Sequence, residues 1–141
     1  DERGLRESQA QIAALIDREV ARGMPANRIV LGGFSQGCAM TLQTGLRYGQ
    51  RLAGLLGMSG YLPLADTLDA ERSDANALTP IFLAHGQRDP VIAIDRAAAS
   101  RDALKALDYG VEWRAYPMEH SVSAEEVADL RRFLQRVLAS A

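Results

Sequence analysis

The spacing of apolar residues along the chain predicts alternating helices and strands. Residues 5–22 place apolar side chains among Arg, Glu and Gln at the spacing of a helix that buries one face. Gly23 and Pro25 end this helix, because glycine favours a helix C-terminus and proline cannot continue it. The spacing of Ser123 and Glu126 predicts a capping box. Further helices are predicted over residues 36–48, 95–108 and 123–139.

Short apolar segments between these helices predict β-strands. Residues 29–32 are rich in β-branched side chains, and residues 52–60 and 81–86 are nearly continuous apolar runs, typical of strands covered on both faces. Residues 111–117 alternate apolar and polar side chains, which predicts a strand near a sheet edge. The alternation predicts an α/β fold, a mostly parallel sheet with helices on both faces. The polar residues 60–80 are expected to form a turn-rich connection.

Composition narrows the possible partners. The 141 residues suit one domain, and the net charge is −2. Lys105 is the only lysine and the arginines are scattered, which argues against nucleic acid or an anionic membrane as a partner. The single cysteine, Cys38, excludes an internal disulfide and a multi-cysteine metal site, and it fits a reducing, cytoplasmic compartment.

Ser35 lies between glycines where the first predicted strand meets the next helix, in the sequence Gly33-Phe34-Ser35-Gln36-Gly37. A serine in such a G-x-S-x-G turn is held in a strained backbone with its hydroxyl clear of the sheet. Side chains at Gly33 or Gly37 are expected to collide with the neighbouring helix or strand. The alternative is a packed glycine-rich turn of a nucleotide-binding fold, but no G-x-G-x-x-G or phosphate-binding loop follows a strand.

A nucleophilic serine needs a base, and the base needs an orienting acid. With this turn, the chain order is serine, then acid, then histidine. Of the two histidines, only His120 leaves room for an acid at a strand end, and Asp89 lies at that place. We therefore predict that Ser35, Asp89 and His120 form a catalytic triad. The alternative for His120 is a histidine of a surface loop, and the alternative for Asp89 is a turn-forming Asp-Pro.

His85 and Asp95 compete for these roles. His85 ends the third predicted strand, and we expect it to form a hydrogen bond that shapes the loop aiming Asp89. Asp95 is the rival acid, and we expect it instead to be the N-cap of the helix over residues 95–108.

Four segments together resemble the acyl-protein thioesterase and carboxylesterase family of α/β-hydrolases, also called the phospholipase/carboxylesterase family: PANRIVLGGFSQGCAM, SGYLP, LAHGQRDPVI and YPMEHSVS. The likeness runs from residue 1 to about 138. It implies that Ser35 is the nucleophile, Asp89 the acid and His120 the base, and that Gln36 gives a backbone N–H to the oxyanion hole. Cys38 replaces a glycine or another small residue of the family, and we expect it to be a small buried helix residue.

The resemblance also implies a substrate class. We expect hydrolysis of short- to medium-chain carboxylic esters or thioesters, with lysophospholipids and lipidated proteins among the candidates, and no metal or organic cofactor. A dienelactone-hydrolase-like activity is an alternative within the same fold, but that relative uses cysteine where this chain has Ser35, which argues against it. The alternative from another class is a non-catalytic, truncated α/β-hydrolase that acts only as an interaction module. An apolar acyl pocket is expected from residues that follow strand ends: Leu62, Pro63, Pro90, Val91 and Ile92.

Members of this family carry a further block ahead of the helix at residues 5–22, with the first strands and a loop that supplies a second oxyanion N–H. The resemblance therefore implies that residues 1–141 form a single domain that is the C-terminal portion of the fold, incomplete at its N-terminus. The strand at 29–32 would then have an open edge, to be covered by an N-terminal segment or a second chain. Alone, the chain is expected to be nearly inactive or insoluble.

Overall fold

A computed structural model describes residues 1–139 as a parallel sheet flanked by helices. The strand order is β1-β2-β3-β4, and each neighbouring pair is parallel. The strands are β1 (Val30–Phe34), β2 (Gly54–Met58), β3 (Ile81–Gly86) and β4 (Val111–Tyr116). The main helices are α1 (Glu2–Ala21), α2 (Gln36–Gly45), α3 (Leu68–Glu71), α4 (Ile94–Ala106) and α5 (Ala124–Ala139). The predicted α/β architecture is confirmed.

Alternate side chains of the strands feed two hydrophobic clusters, one on each face of the sheet. On one face, Leu55 and Ile81 pack with α1, α2 and α4. On the other face, Leu56 and Phe82 pack against Phe133 of α5. This alternation follows from the two-residue period of a strand, and it explains why β2 and β3 are apolar throughout their length.

β1 and β4 are the two edges of the sheet among the described residues. The edge position predicted for β4 is confirmed, and the expected open edge of β1 is also present. Within residues 1–139, no helix is long and apolar enough to cross a membrane.

The connection between β2 and β3 is more ordered than the sequence predicts. It contains α3 and two short 3₁₀ helices, Ala65–Thr67 and Asp74–Asn76. The Asn76 side chain is fully buried, where it accepts a hydrogen bond from the Leu52 N–H (2.9 Å) and donates to the Tyr48 and Gln50 carbonyls (2.9 and 2.8 Å). Asn76 lies in a predicted loop, but its buried side chain holds the segment that leads into β2.

Two predicted helix caps differ from the structure. Asp95 is not the N-cap of α4, because that helix begins one residue earlier and Ala93 occupies the cap position. Ser123 does cap α5, since its hydroxyl accepts a hydrogen bond from the Glu126 N–H (3.1 Å). The reciprocal half of the capping box is weak: the Ser123 N–H lowers the pKa of the Glu126 carboxyl, but the contact does not reach normal hydrogen-bond geometry.

Glu126 is fully buried, and this burial raises the pKa of its carboxyl group. A carboxyl whose pKa is higher in the folded chain stabilises the fold below its ordinary pKa, and this stability is lost as the pH rises through the folded value. The physical cause is the cost of placing an unpaired charge away from water.

We expect Glu126→Gln to raise the melting temperature by several degrees at about pH 7, and to give no such gain at about pH 3, where the carboxyl binds a proton in both states. Thermal unfolding followed by circular dichroism at both pH values measures this difference. Glu125→Gln is the matched control, because Glu125 is exposed in the same helical turn. A gain that is equal for both variants, or equal at both pH values, contradicts the burial argument.

Candidate active site

Ser35 lies on a sharp turn between β1 and α2. Its backbone has φ 59° and ψ −114°, a sparsely populated conformation for a residue with a side chain. The turn is held by the Ser35 N–H, which donates to the Met58 carbonyl (2.7 Å), and by the Ser35 carbonyl, which accepts from the Cys38 N–H (3.0 Å). The strained backbone is therefore anchored on both sides.

The two glycines of this turn have different roles. A Cβ added at Gly33 would lie 2.7 Å from the Cα of Gly37, so only glycine allows the strand and the helix to approach this closely. A Cβ added at Gly37 would meet nothing within 4 Å in the described chain. The expected collision is confirmed at Gly33 and wrong at Gly37.

Ser35, His120 and Asp89 lie in one hydrogen-bonded row. His120 comes from the segment between β4 and α5, and its Nε2 lies 3.0 Å from the Ser35 hydroxyl oxygen. Its Nδ1 lies 2.7 Å from Oδ2 of Asp89. In a neutral imidazole, Nδ1–H donates to the carboxylate and Nε2 accepts from the hydroxyl. This arrangement can remove a proton from Ser35.

Asp89 is a buried carboxylate with several hydrogen-bond donors. Its Oδ1 accepts from the backbone N–H groups of Val91 and Ile92 (2.8 and 2.9 Å). Burial is the largest influence and raises its pKa, but the hydrogen bonds from Ile92, His120 and Val91 outweigh burial and hold the pKa below the usual range. Asp89 is therefore ionised at neutral pH and can orient the imidazole.

His85 supports the loop that presents Asp89. Its Nε2 lies 2.7 Å from the Ile92 carbonyl oxygen, to which it donates, and 3.5 Å from Oδ2 of Asp89. The side chain is 1% exposed. His85 therefore ties the far end of the loop to β3, as expected, and the described chain offers no hydrogen-bond partner to its Nδ1.

Gly86 lets the segment that carries His120 pass over the end of β3. An added Cβ there would lie 3.0 Å from the Met118 carbonyl carbon and closer still to neighbouring carbonyl oxygens. Two backbone hydrogen bonds hold the crossing: the Gln87 N–H donates to Tyr116 (2.8 Å) and the Arg88 N–H donates to Met118 (3.1 Å).

Gln36 begins α2, where backbone N–H groups lack partners within the helix. A cleft of about 320 Å³ lies beside it. Tyr61 lines this cleft, and its ring stacks under the Arg96 guanidinium at 3.6 Å from the ring centroid. Tyr61 was not among the predicted site residues. Its position shortly after the end of β2 is the signal that could have indicated it. The remaining lining residues are Asp1, Gly4, Leu5, Ser8 and Met40.

The five predicted pocket residues do not share one surface. Leu62, Pro63 and Ile92 are buried, whereas Pro90 and Val91 are exposed. Leu62 packs in the cluster of α1, α2 and α4, and its N–H donates to the Ser100 hydroxyl (2.9 Å). A role in binding an acyl chain stays a prediction, and Pro90 and Val91 are the two positions open to solvent.

Cys38 is a buried residue of α2, as expected, with 2% exposure. Burial raises the pKa of its thiol to about 12. Because the thiolate is the reactive form, this sulfur is not a second nucleophile.

Comparison with known proteins agrees with this geometry. The sequence model of the family described as phospholipase/carboxylesterase matches residues 1–138. Acyl-protein thioesterase 1 of Yarrowia lipolytica is 42% identical, with 96% of this chain and 61% of that protein aligned. Acyl-protein thioesterase 1 of Schizosaccharomyces pombe is 40% identical, with 99% and 63% aligned.

Solved structures show the same fold. The chain superposes on Arabidopsis thaliana SOBER1 with a TM-score of 0.94 at 29% identity, covering 98% of this chain and 66% of that one. Zea mays acyl-protein thioesterase 2 gives a TM-score of 0.85 at 30% identity, with 98% and 66% covered. The α/β-hydrolase-type fold is therefore confirmed. The chain spans about 60% of the length of the curated relatives it matches.

We expect Gly86→Ala to destabilise the protein by about 1–3 kcal/mol, because the added methyl group forces β3 away from the segment that carries His120. Urea unfolding measures the loss of stability. Gly110→Ala is the matched control, since an added Cβ there meets nothing within 4 Å in the described chain, and it should change stability by less than about 0.5 kcal/mol. Equal losses in the two variants contradict the close crossing at Gly86.

Proposed function

The chain belongs to the phospholipase/carboxylesterase family, and we propose that it forms the catalytic part of a serine hydrolase that cleaves carboxylic esters or thioesters. The observation that carries this proposal is the hydrogen-bonded row from Ser35 through His120 to Asp89. The relatives named acyl-protein thioesterase support thioesters as one substrate class.

The first chemical step is attack by the Ser35 hydroxyl oxygen on the carbonyl carbon of the substrate. His120 Nε2 takes the hydroxyl proton as the new C–O bond forms, and the carbonyl electron pair moves to its oxygen. Asp89 keeps Nδ1–H in place and stabilises the imidazolium. The Gln36 N–H at the positive end of α2 stabilises the negative oxygen.

The second step releases the alcohol or thiol. The tetrahedral intermediate reforms its C=O bond and expels the leaving group, which takes the proton from His120. The acyl group remains esterified to Ser35. A water molecule then gives a proton to His120 and attacks the acyl carbon. Collapse of this second intermediate frees the carboxylic acid, and the proton returns from His120 to Ser35.

We assign short- to medium-chain acyl groups as substrates because an apolar side chain close in sequence to each member of the row is exposed. Phe34, Val91 and Val122 lie within two residues of Ser35, Asp89 and His120 and are 37%, 65% and 46% exposed. Such a rim suits an uncharged chain, whether it belongs to a small ester, a lipid or a lipidated protein. The reducing cytoplasm is the proposed location.

We further propose that additional polypeptide completes the sheet along β1, as an N-terminal segment or a second chain. Two observations support this: β1 has an unpaired edge among the described residues, and the relatives are longer. We call residues 1–141 together with this additional polypeptide the complete protein.

In the complete protein, we expect a fluorophosphonate probe to label Ser35. Ser35→Ala should abolish labelling and lower hydrolysis of p-nitrophenyl acetate by at least about 10³-fold, because the nucleophile is lost. Ser121→Ala is the matched control, since this exposed serine is next to His120 and takes no part in the row. In-gel fluorescence and absorbance assays measure both effects.

Residues 1–141 alone serve as a second sample in the same experiment. Turnover should be lower by about 10²–10³-fold, the usual cost of one missing oxyanion donor. Full labelling of Ser35→Ala would overturn the assignment. Absence of both labelling and hydrolysis in the complete protein would leave the non-catalytic interaction module as the function.

The acyl chain length is tested with a series of p-nitrophenyl esters and acyl-thioesters on the complete protein. We expect kcat/KM to rise with each added methylene over the short chains, by up to about fourfold per group, because each buried CH₂ contributes about 0.8 kcal/mol. A plateau should follow where the apolar surface ends. Equal kcat/KM for all chain lengths contradicts an apolar acyl site.

A further inference from the structure

Phe34 is a partly exposed aromatic residue in contact with His120. It ends β1 and precedes Ser35, and its ring centroid lies 4.9 Å from that of the imidazole, with 44° between the planes. The other two phenylalanines, Phe82 and Phe133, are fully buried and pack on each other. Burial in the core therefore does not account for an aromatic ring at position 34, which remains 37% exposed.

Two hydrogen bonds and the covalent bond to Cβ together define the position of the His120 ring. Rotation of the side chain about χ1 or χ2 breaks these hydrogen bonds, so the packing around the ring affects how often they open. His120 also lies outside helix and strand, in the residues between β4 and α5. A contact on the ring itself opposes this rotation, and Phe34 gives such a contact from the end of β1.

We propose that Phe34 is a positioning residue that holds the His120 imidazole so that Nε2 stays aimed at the Ser35 hydroxyl. The same ring favours the imidazolium that forms when Ser35 loses its proton, because an aromatic ring attracts a nearby cation. The kinetic consequence rests on the proposed function, whereas the restraint on the ring does not.

A role in substrate binding is the competing explanation, since Phe34 belongs to the exposed apolar rim. The two roles predict different observations. A positioning residue changes kcat and the lifetime of the hydrogen bond between His120 and Asp89 for every substrate. A binding residue changes KM in a way that depends on chain length.

The structural test is NMR of the His120 Nδ1 proton in the complete protein. Its exchange with water reports how often the hydrogen bond to Asp89 opens. We expect exchange about tenfold faster in Phe34→Leu, which removes the ring, and restored protection in Phe34→Tyr, which keeps it. The Nε2 proton of His85, the only other histidine, is the internal reference and should not change.

Phe82→Leu is the control for a general loss of stability. It removes a buried aromatic ring that contacts Phe133, so it should lower the melting temperature without faster exchange at His120. If Phe34→Leu does not fold, Phe34→Met takes its place, because a flexible side chain fills the same space without a ring.

The kinetic test uses the same variants. We expect kcat of Phe34→Leu to fall by roughly 10- to 10²-fold with KM unchanged at each chain length, and Phe34→Tyr to recover most of it. Unchanged proton exchange in Phe34→Leu overturns the proposal. A rise in KM with exchange and kcat unchanged also overturns it and assigns the ring to substrate binding. Faster exchange that Phe34→Tyr reverses supports it, even if Ser35 is found not to be a nucleophile.

Discussion

The close crossing of the segment after β4 over the end of β3 is the constraint on which the candidate site depends. Ser35 follows β1 and His120 follows β4, and two strands separate β1 from β4 in the sheet. The imidazole reaches the serine only because its segment turns back across β3, where Gly86 leaves room for the Met118 and Glu119 backbone. Asp89 follows β3, and its carboxylate lies within hydrogen-bond distance of the imidazole on this segment. The row of three side chains is thus a product of backbone proximity at one glycine.

Two buried carboxylates in this chain show how local donors decide the charge of a group away from water. Asp89 accepts two backbone N–H bonds and one imidazole bond, and its pKa lies below the usual range. Burial is the largest influence on the Glu126 carboxyl and raises its pKa, because its one donor in the described chain, the Ser123 N–H, makes only a weak contact. Burial opposes ionisation of both groups, so the donors make the difference. The loop after β3 is arranged to supply them, with His85 holding its far end.

The sequence predicted the elements and the three principal side chains because each depends on local pattern. The apolar runs that became β2 and β3 and the glycine beside Ser35 are signals within a few residues. Features that depend on distant contacts were missed. The Asn76 amide is buried because the segment that leads into β2 lies next to it, and the contact of Phe34 with His120 joins opposite edges of the sheet. Asp95 was misjudged because exact helix starts are set by packing rather than by residue type. Gly37 was misjudged because the direction in which an added Cβ would point depends on the backbone of the folded turn.

The separation of Ser35 and His120 along the chain also has a consequence for folding. Their hydrogen bond joins residues 85 positions apart, whereas the bond between Asp89 and His120 spans 31. The entropy of closing so long a loop is recovered only after the intervening strands have paired. The contact of Ser35 with His120 is therefore the more costly of the two in chain entropy, and it depends on the pairing of all four described strands. The row of three side chains is in this sense a property of the assembled sheet and not of any one loop.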